Sequence, residues 1–174
     1  MKQLRLEISV SIDSDWRSVE LLRTSVMSCL TAVFHNHDFA RNASMIVGEL
    51  LENALKYGDW SQPGRSEFML RVRGSDHGVH IEVCNPVGPE SAAAAQLLGT
   101  LDWLRSFPDR RKAYEARLRA VASSAAGDAS GLGLARIAYE GDCELEASIS
   151  DEGVLRVRAT TPTPGSATSP ATRS

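Results

Sequence analysis

Leu4, Leu6, Ile8, Val10 and Ile12 alternate with polar neighbours near the start of the chain. That period of two belongs to a strand with one buried face and predicts a strand over 3–12. The period then changes. Trp16, Val19, Leu22, Val26 and Leu30 recur at intervals of three and four, which puts them on one stripe of a helix. Ser14 stands before them as an N-cap, and the helix runs to about Phe34. The segment His35-Asn36-His37-Asp38 breaks the pattern, a second helix is predicted over about 38–57, and Gly58 ends it.

Residues 59–65 read as a loop. Two strands, 66–73 and 79–84, follow as a hairpin around Gly74-Ser75-Asp76-His77-Gly78. Asn85-Pro86-Val87-Gly88-Pro89 stops the second strand. Residues 90–126 favour helix, with four alanines at 92–95 and a break at Pro108. A glycine-punctuated stretch then enters a short helix, and strands at 142–149 and 153–159 turn at Asp151-Glu152-Gly153. Residues 160–174 are Thr, Pro, Ser and Ala without periodicity, the composition of a disordered tail. Strand, two helices, hairpin, helical insert, helix, hairpin is the order of an α/β chain. The expected architecture is a two-layer sandwich, with a mainly antiparallel sheet covered by helices on one face.

Length and charge narrow the class. At 174 residues the chain makes one domain, predicted over 1–159. Acidic residues outnumber basic ones 22 to 19, for a net charge of −3, which lacks the basic excess of a nucleic-acid binder. No apolar run approaches the roughly 20 residues of a membrane span, and the alternating N-terminus is unlike a signal peptide. Cys29, Cys84 and Cys143 are odd in number and lack CxxC spacing. That usage fits a reducing cytoplasm, not a disulfide framework or a zinc ribbon.

The second helix carries the densest chemistry, in Gly48-Glu49-Leu50-Leu51-Glu52-Asn53-Ala54-Leu55-Lys56-Tyr57-Gly58. Glu49 and Asn53 lie one turn apart on one face, and Lys56 follows on the next turn. A carboxylate can accept a proton from an attacking hydroxyl. An amide oxygen can ligate Mg²⁺, and a lysine can meet a phosphate. The plain alternative is a solvated face with a Glu52–Lys56 pair. A second candidate is Ser130-Gly131-Leu132-Gly133-Leu134-Ala135-Arg136-Ile137. Its glycines let backbone amides approach a phosphate at a helix N-terminus; a tightly packed helix start is the plain alternative.

Taken together and in this order, ELLENALKY at 49–57 resembles the N box of the GHKL ATPase superfamily, and GLGLARI at 131–137 resembles its second glycine box. That superfamily has the Bergerat fold, shared by gyrase, the heat-shock chaperone, histidine kinases and MutL. The resemblance implies ATP and Mg²⁺ as cofactors. Glu49 would then be the general base and Asn53 the Mg²⁺ ligand. Lys56 and the stretch Gly131, Gly133 and Leu134 would meet the phosphates. A free-standing domain of this size is similar to bacterial anti-sigma factor serine kinases, and the ending after a long insert looks most like SiaB-like regulators. The expected role is transfer of the ATP γ-phosphate to Ser or Thr of a small anti-sigma-antagonist-type partner in a partner-switching pathway. The alternative is a degenerate module that regulates such a protein, or a sigma factor, by binding alone. Related kinases admit a homodimer.

The chain departs from the family at the first glycine box. The matching position is Asn85 where the family carries Asp, so an amide oxygen is left to accept from the adenine amino group. The glycine pair is reduced to Gly88, between Pro86 and Pro89. The insert also reads as helical, with Arg110, Arg111, Lys112, Arg117 and Arg119 crowded together. They form either a solvated face or a surface that reaches phosphates or an acidic partner. His35 and His37 read as capping or surface residues, the tryptophans as packing residues, and Tyr114 has no role favoured by the sequence.

Overall fold

The computed structural model describes residues 3–11, 16–61, 67–88, 90–123 and 131–163. The chain runs β1 (Gln3–Ser11), α1 (Trp16–Phe34), α2 (His37–Tyr57), β2 (Glu67–Ser75), β3 (Gly78–Pro86), α3 (Ala92–Arg105), α4 (Arg110–Ser123), α5 (Leu132–Tyr139), β4 (Glu144–Ile149) and β5 (Val154–Pro162). The predicted N-cap Ser14, the side chain of Trp16 and the tail beyond Thr163 lie outside the described residues. No helix among the described residues is long and apolar enough to cross a membrane.

The five strands form one sheet in the order β1-β2-β3-β5-β4, and every neighbouring pair is antiparallel. This is the two-layer α/β sandwich that the alternation predicts. One face of the sheet is apolar: Phe68, Leu70 and Val72 of β2, Val79, Ile81 and Val83 of β3, and Leu155, Val157 and Ala159 of β5 are buried. Val26 and Leu30 of α1 and Ile46, Val47, Leu50 and Leu51 of α2 join them in a single core, so the helical stripe and the strand alternation meet as read. Helix α2 starts at His37, where the Asn36 side chain accepts from the Phe39 N–H at 2.9 Å.

Three local details differ from the sequence reading. Strand β3 continues through Asn85 and Pro86, and β5 through Pro162, because the two pair along their whole length from Gly78↔Pro162 to Pro86↔Val154. Residues 160–162 therefore belong to the sheet. Gly58 ends α2 in an extended conformation (φ −70°, ψ 145°), not a left-handed one. Its missing side chain matters because the Trp60 ring lies where a Cβ would be. The insert is two helices, broken around Pro108 as predicted, with α4 packed on α5 and α3 near β4.

The other face of the sheet is polar, and one row of it is ordered by charge. Glu7, Arg71, Glu82, Arg158 and Glu146 are successive register partners across all five strands. Glu82, at the centre, is only 7% exposed. It accepts from Arg71 Nη1 at 3.0 Å and from Arg158 Nη2 at 2.7 Å, with Arg156 Nε 3.8 Å away. Burial works against its charged form, but the arginine hydrogen bonds outweigh it and hold the carboxyl below the usual range.

Glu82→Gln is expected to destabilise the fold by about 2 kcal/mol at pH 7, the scale of hydrogen bonds to a charged group. Because the Glu82 pKa is depressed, its contribution is present above the unfolded-state value and lost as pH falls through the folded one. Urea titrations of both proteins between pH 7 and pH 3 should show the difference shrinking in acid.

Candidate functional site

Helix α2 has two sides. Phe39, Ala43, Ile46, Val47, Leu50, Leu51 and Ala54 are buried, and the opposite side carries Glu49, Glu52, Asn53 and Lys56. Small residues set its distance from α1. The Arg23 side chain crosses Gly48 where a Cβ would clash, and Ser44 Oγ donates to the Arg23 carbonyl at 3.1 Å. A cleft of about 620 Å³ runs along this side between α1 and α5, lined among others by Glu20, Arg23, Met45, Glu49, Glu52 and Arg136.

Helix α5 opens at Gly131, whose φ of 77° is left-handed. Among the described residues no side chain caps it, and the first N–H groups of any helix lack partners within the helix itself. The structure brings the two sequence motifs into contact here. Glu49 Oε2 presses on Gly133, and any Cβ at that position would collide with it. The other oxygen, Oε1, accepts from Arg136 Nη1 at 3.1 Å. Burial, then the neighbouring Glu52, raises the Glu49 pKa above the ordinary carboxylate value, against the pull of Arg136. A raised carboxylate pKa strengthens it as a proton acceptor.

Arg136 was part of the glycine motif but carried no role in the sequence reading. It bridges two acids, since its Nε also donates to Glu140 Oε2 at 2.8 Å. Glu140 Oε1 in turn accepts from Tyr114 Oη of α4 at 3.0 Å. The Tyr114 ring stacks on Tyr139 with centroids 5.3 Å apart. The only advance signal for this network was the helical i,i+4 spacing of Arg136 and Glu140.

The remaining predicted residues fall as follows. Asn53 Nδ2 is buried and has no hydrogen-bond partner among the described residues. Lys56 is exposed, with Nζ 5.2 Å from the Tyr57 ring centroid, and it forms no ion pair with Glu52 among the described residues. Asn85 is 2% exposed at the end of β3, and its Nδ2 donates to the Pro86 carbonyl at 3.2 Å. The Leu134 side chain is buried, so only its backbone is offered to a ligand. The loop after β3 is pinned: Asp59 N–H donates to Pro86 O and Val87 N–H to Gly153 O, both at 2.8 Å. Ser130 and Pro89 lie outside the described residues.

The basic cluster of the insert divides. Arg110 pairs with Asp142 at 2.6 Å, Arg111 with Glu115 at 2.8 Å, Lys112 with Asp109 at 3.7 Å and Arg119 with Glu115 at 3.5 Å. Arg117 differs. Its guanidinium lies 5.9 Å from the Trp103 ring centroid and packs against Gly131, and its Nε is buried without a partner among the described residues.

Against this geometry the comparisons with known proteins are narrow. No protein-family model matches the chain, and no curated protein matches it. Among solved structures, the chain is similar to one in the crystal structure of the SiaB-SiaC complex from Pseudomonas aeruginosa. The TM-score is 0.66 at 17% identity, with 88% of each chain covered. At that identity the likeness is one of fold.

Gly133→Ala is expected to destabilise the protein by about 1–2 kcal/mol, because the added methyl displaces Glu49. In Glu49→Ala the same substitution should cost less. A double-mutant cycle by chemical denaturation should show a coupling above about 0.5 kcal/mol.

Proposed function

We propose that the chain is an ATP–Mg²⁺-binding regulator of the GHKL type, transferring the γ-phosphoryl group to Ser or Thr of a small partner protein. The observation that carries this is the contact of the Glu49 carboxylate with Gly133. It joins the acid of one motif to the glycine of the other. The partner-protein part draws on the fold likeness to a chain of the SiaB-SiaC complex.

The residues present suit the group. Asn53 Nδ2 is buried without a hydrogen-bond partner among the described residues, so no described group ties the amide down, and an amide oxygen is the kind of donor a hard cation takes. Mg²⁺ would neutralise charge on the phosphates. Gly131 and Gly133 leave the backbone of the α5 N-terminus open to phosphate oxygens. Asn85 spends its nitrogen on Pro86, which leaves its oxygen as the acceptor for an adenine amino group. Glu49 takes the proton of the acceptor hydroxyl as the new oxygen–phosphorus bond forms, the bond to the leaving ADP breaks, and ADP departs with the electron pair. The residues mainly position the groups and stabilise charge.

A second reading, regulation by binding without catalysis, is favoured by one observation. The loop after β3 is tied down at Pro86 and Val87, where the family's two-glycine box would leave it free.

Calorimetric titration with ATP and Mg²⁺ tests the proposal. Wild-type protein should bind, and Asn53→Ala, with an unchanged thermal melt, should lose at least about tenfold in affinity, the scale of one charge-assisted contact. Absence of binding by the folded wild type would overturn the nucleotide reading and turn attention to partner binding alone.

A further inference from the structure

Glu49 is held from two sides. Oε2 lies where a Cβ on Gly133 would stand and Oε1 accepts from Arg136, so the ion pair draws on the carboxylate that an incoming hydroxyl would need. An anion seated on the amides at Gly131–Leu134 would meet that carboxylate at Gly133, and two like charges cannot share the position. The same anion would then compete with Glu49 for Arg136.

Arg136 is built for such an exchange. Its Nε is anchored by Glu140, which Tyr114 also holds. A guanidinium offers five donors in a planar fork. The anchored edge can stay while Nη1 changes partner. Lys56 lies over Tyr57, and Arg110, Arg111, Lys112 and Arg119 are paired within or beside α4; Arg117 also reaches Gly131, but it is Arg136 that holds Glu49.

We propose that Arg136 is a phosphate-sensing residue held by Glu49: its Nη1 passes from the Glu49 carboxylate to the terminal phosphoryl oxygens of a bound nucleoside triphosphate, and this releases Glu49 to accept a proton. The inference rests on the nucleotide reading above. It differs from a purely structural salt bridge between α2 and α5 in what it requires of ligand discrimination. The terminal phosphoryl group is present in ATP and absent in ADP, so Arg136 contributes to the difference between them.

The test is calorimetric titration with ATP and with ADP, each with Mg²⁺, on wild type, Arg136→Ala, Arg136→Lys and Glu49→Gln, with thermal melts alongside. Arg136→Ala should weaken ATP about tenfold and ADP less than about twofold, as expected for loss of one charge-assisted contact. Arg136→Lys should recover part of the preference, since the charge remains without the fork. Glu49→Gln should tighten ATP binding, because the competing charge has gone. An ATP-to-ADP ratio unchanged in Arg136→Ala, or ATP weakened in Glu49→Gln as much as in Arg136→Ala, would overturn the proposal while leaving nucleotide binding in place. No nucleotide binding by wild type would overturn both. If Arg136→Ala does not fold, Arg136→Lys and Glu49→Gln carry the same comparison.

Discussion

The apolar side of α2 packs into the core that the sheet builds, and its other side carries Glu49, Glu52, Asn53 and Lys56. Ile46, Val47, Leu50 and Leu51 are held in one cluster with Leu70, Ile81 and Val83. A helix fixed on that side cannot rotate without exposing those residues, so the direction of Glu49 and Asn53 is set by burial several residues away. The close approach of α1 over Gly48 and Ser44 adds a second constraint on the same rotation. The position of α5 follows, since Gly133 must tolerate contact with Glu49. A larger residue there would separate the two helices.

Much of this was legible because it depends on local periodicity. Alternation in Leu4 to Val10 and the three-and-four spacing in Val19 to Leu30 each specify a buried face, and the architecture follows from bringing those faces together. Glu49 and Gly133 were also legible, as members of two motifs. What joins them was not. Arg136 reaches Glu49 across 87 positions of sequence, and no local pattern encodes such a partner. Asn85 and Pro86 were read as stopping the strand after Cys84, whereas β3 runs on through both, for a related reason. Their strand is extended by pairing with β5, a tertiary choice that overrides the usual meaning of Asn-Pro. The Glu52–Lys56 pair, the plain alternative for that face, shows the converse: the spacing permits it, yet Lys56 lies over Tyr57 instead.

The arginine cluster of the insert illustrates how charge in a sequence divides into separate tasks. Arg111, Lys112 and Arg119 neutralise acids within or just before α4, and such exposed pairs contribute little. Arg110 ties the helix to Asp142. Arg117 is set inward against Trp103 and the left-handed Gly131. Helix α4 is thus attached to the turn that follows α5, through Arg110, and to the turn that opens α5, through Arg117.

Helix α4 has one buried residue, Ala113, and otherwise rests on its polar and aromatic attachments. Regions with so little apolar burial open at the low end of a protein's free-energy range. Amide exchange along the molecule would therefore be graded, slow in β2, β3 and β5 and fast in α4. Since Tyr114 shares Glu140 with Arg136, opening of α4 would remove one of the contacts that hold Glu140 beside Arg136. Any coupling free energy between the two acts reciprocally, so what stabilises this arrangement of Arg136 favours closed α4 by that coupling and no more.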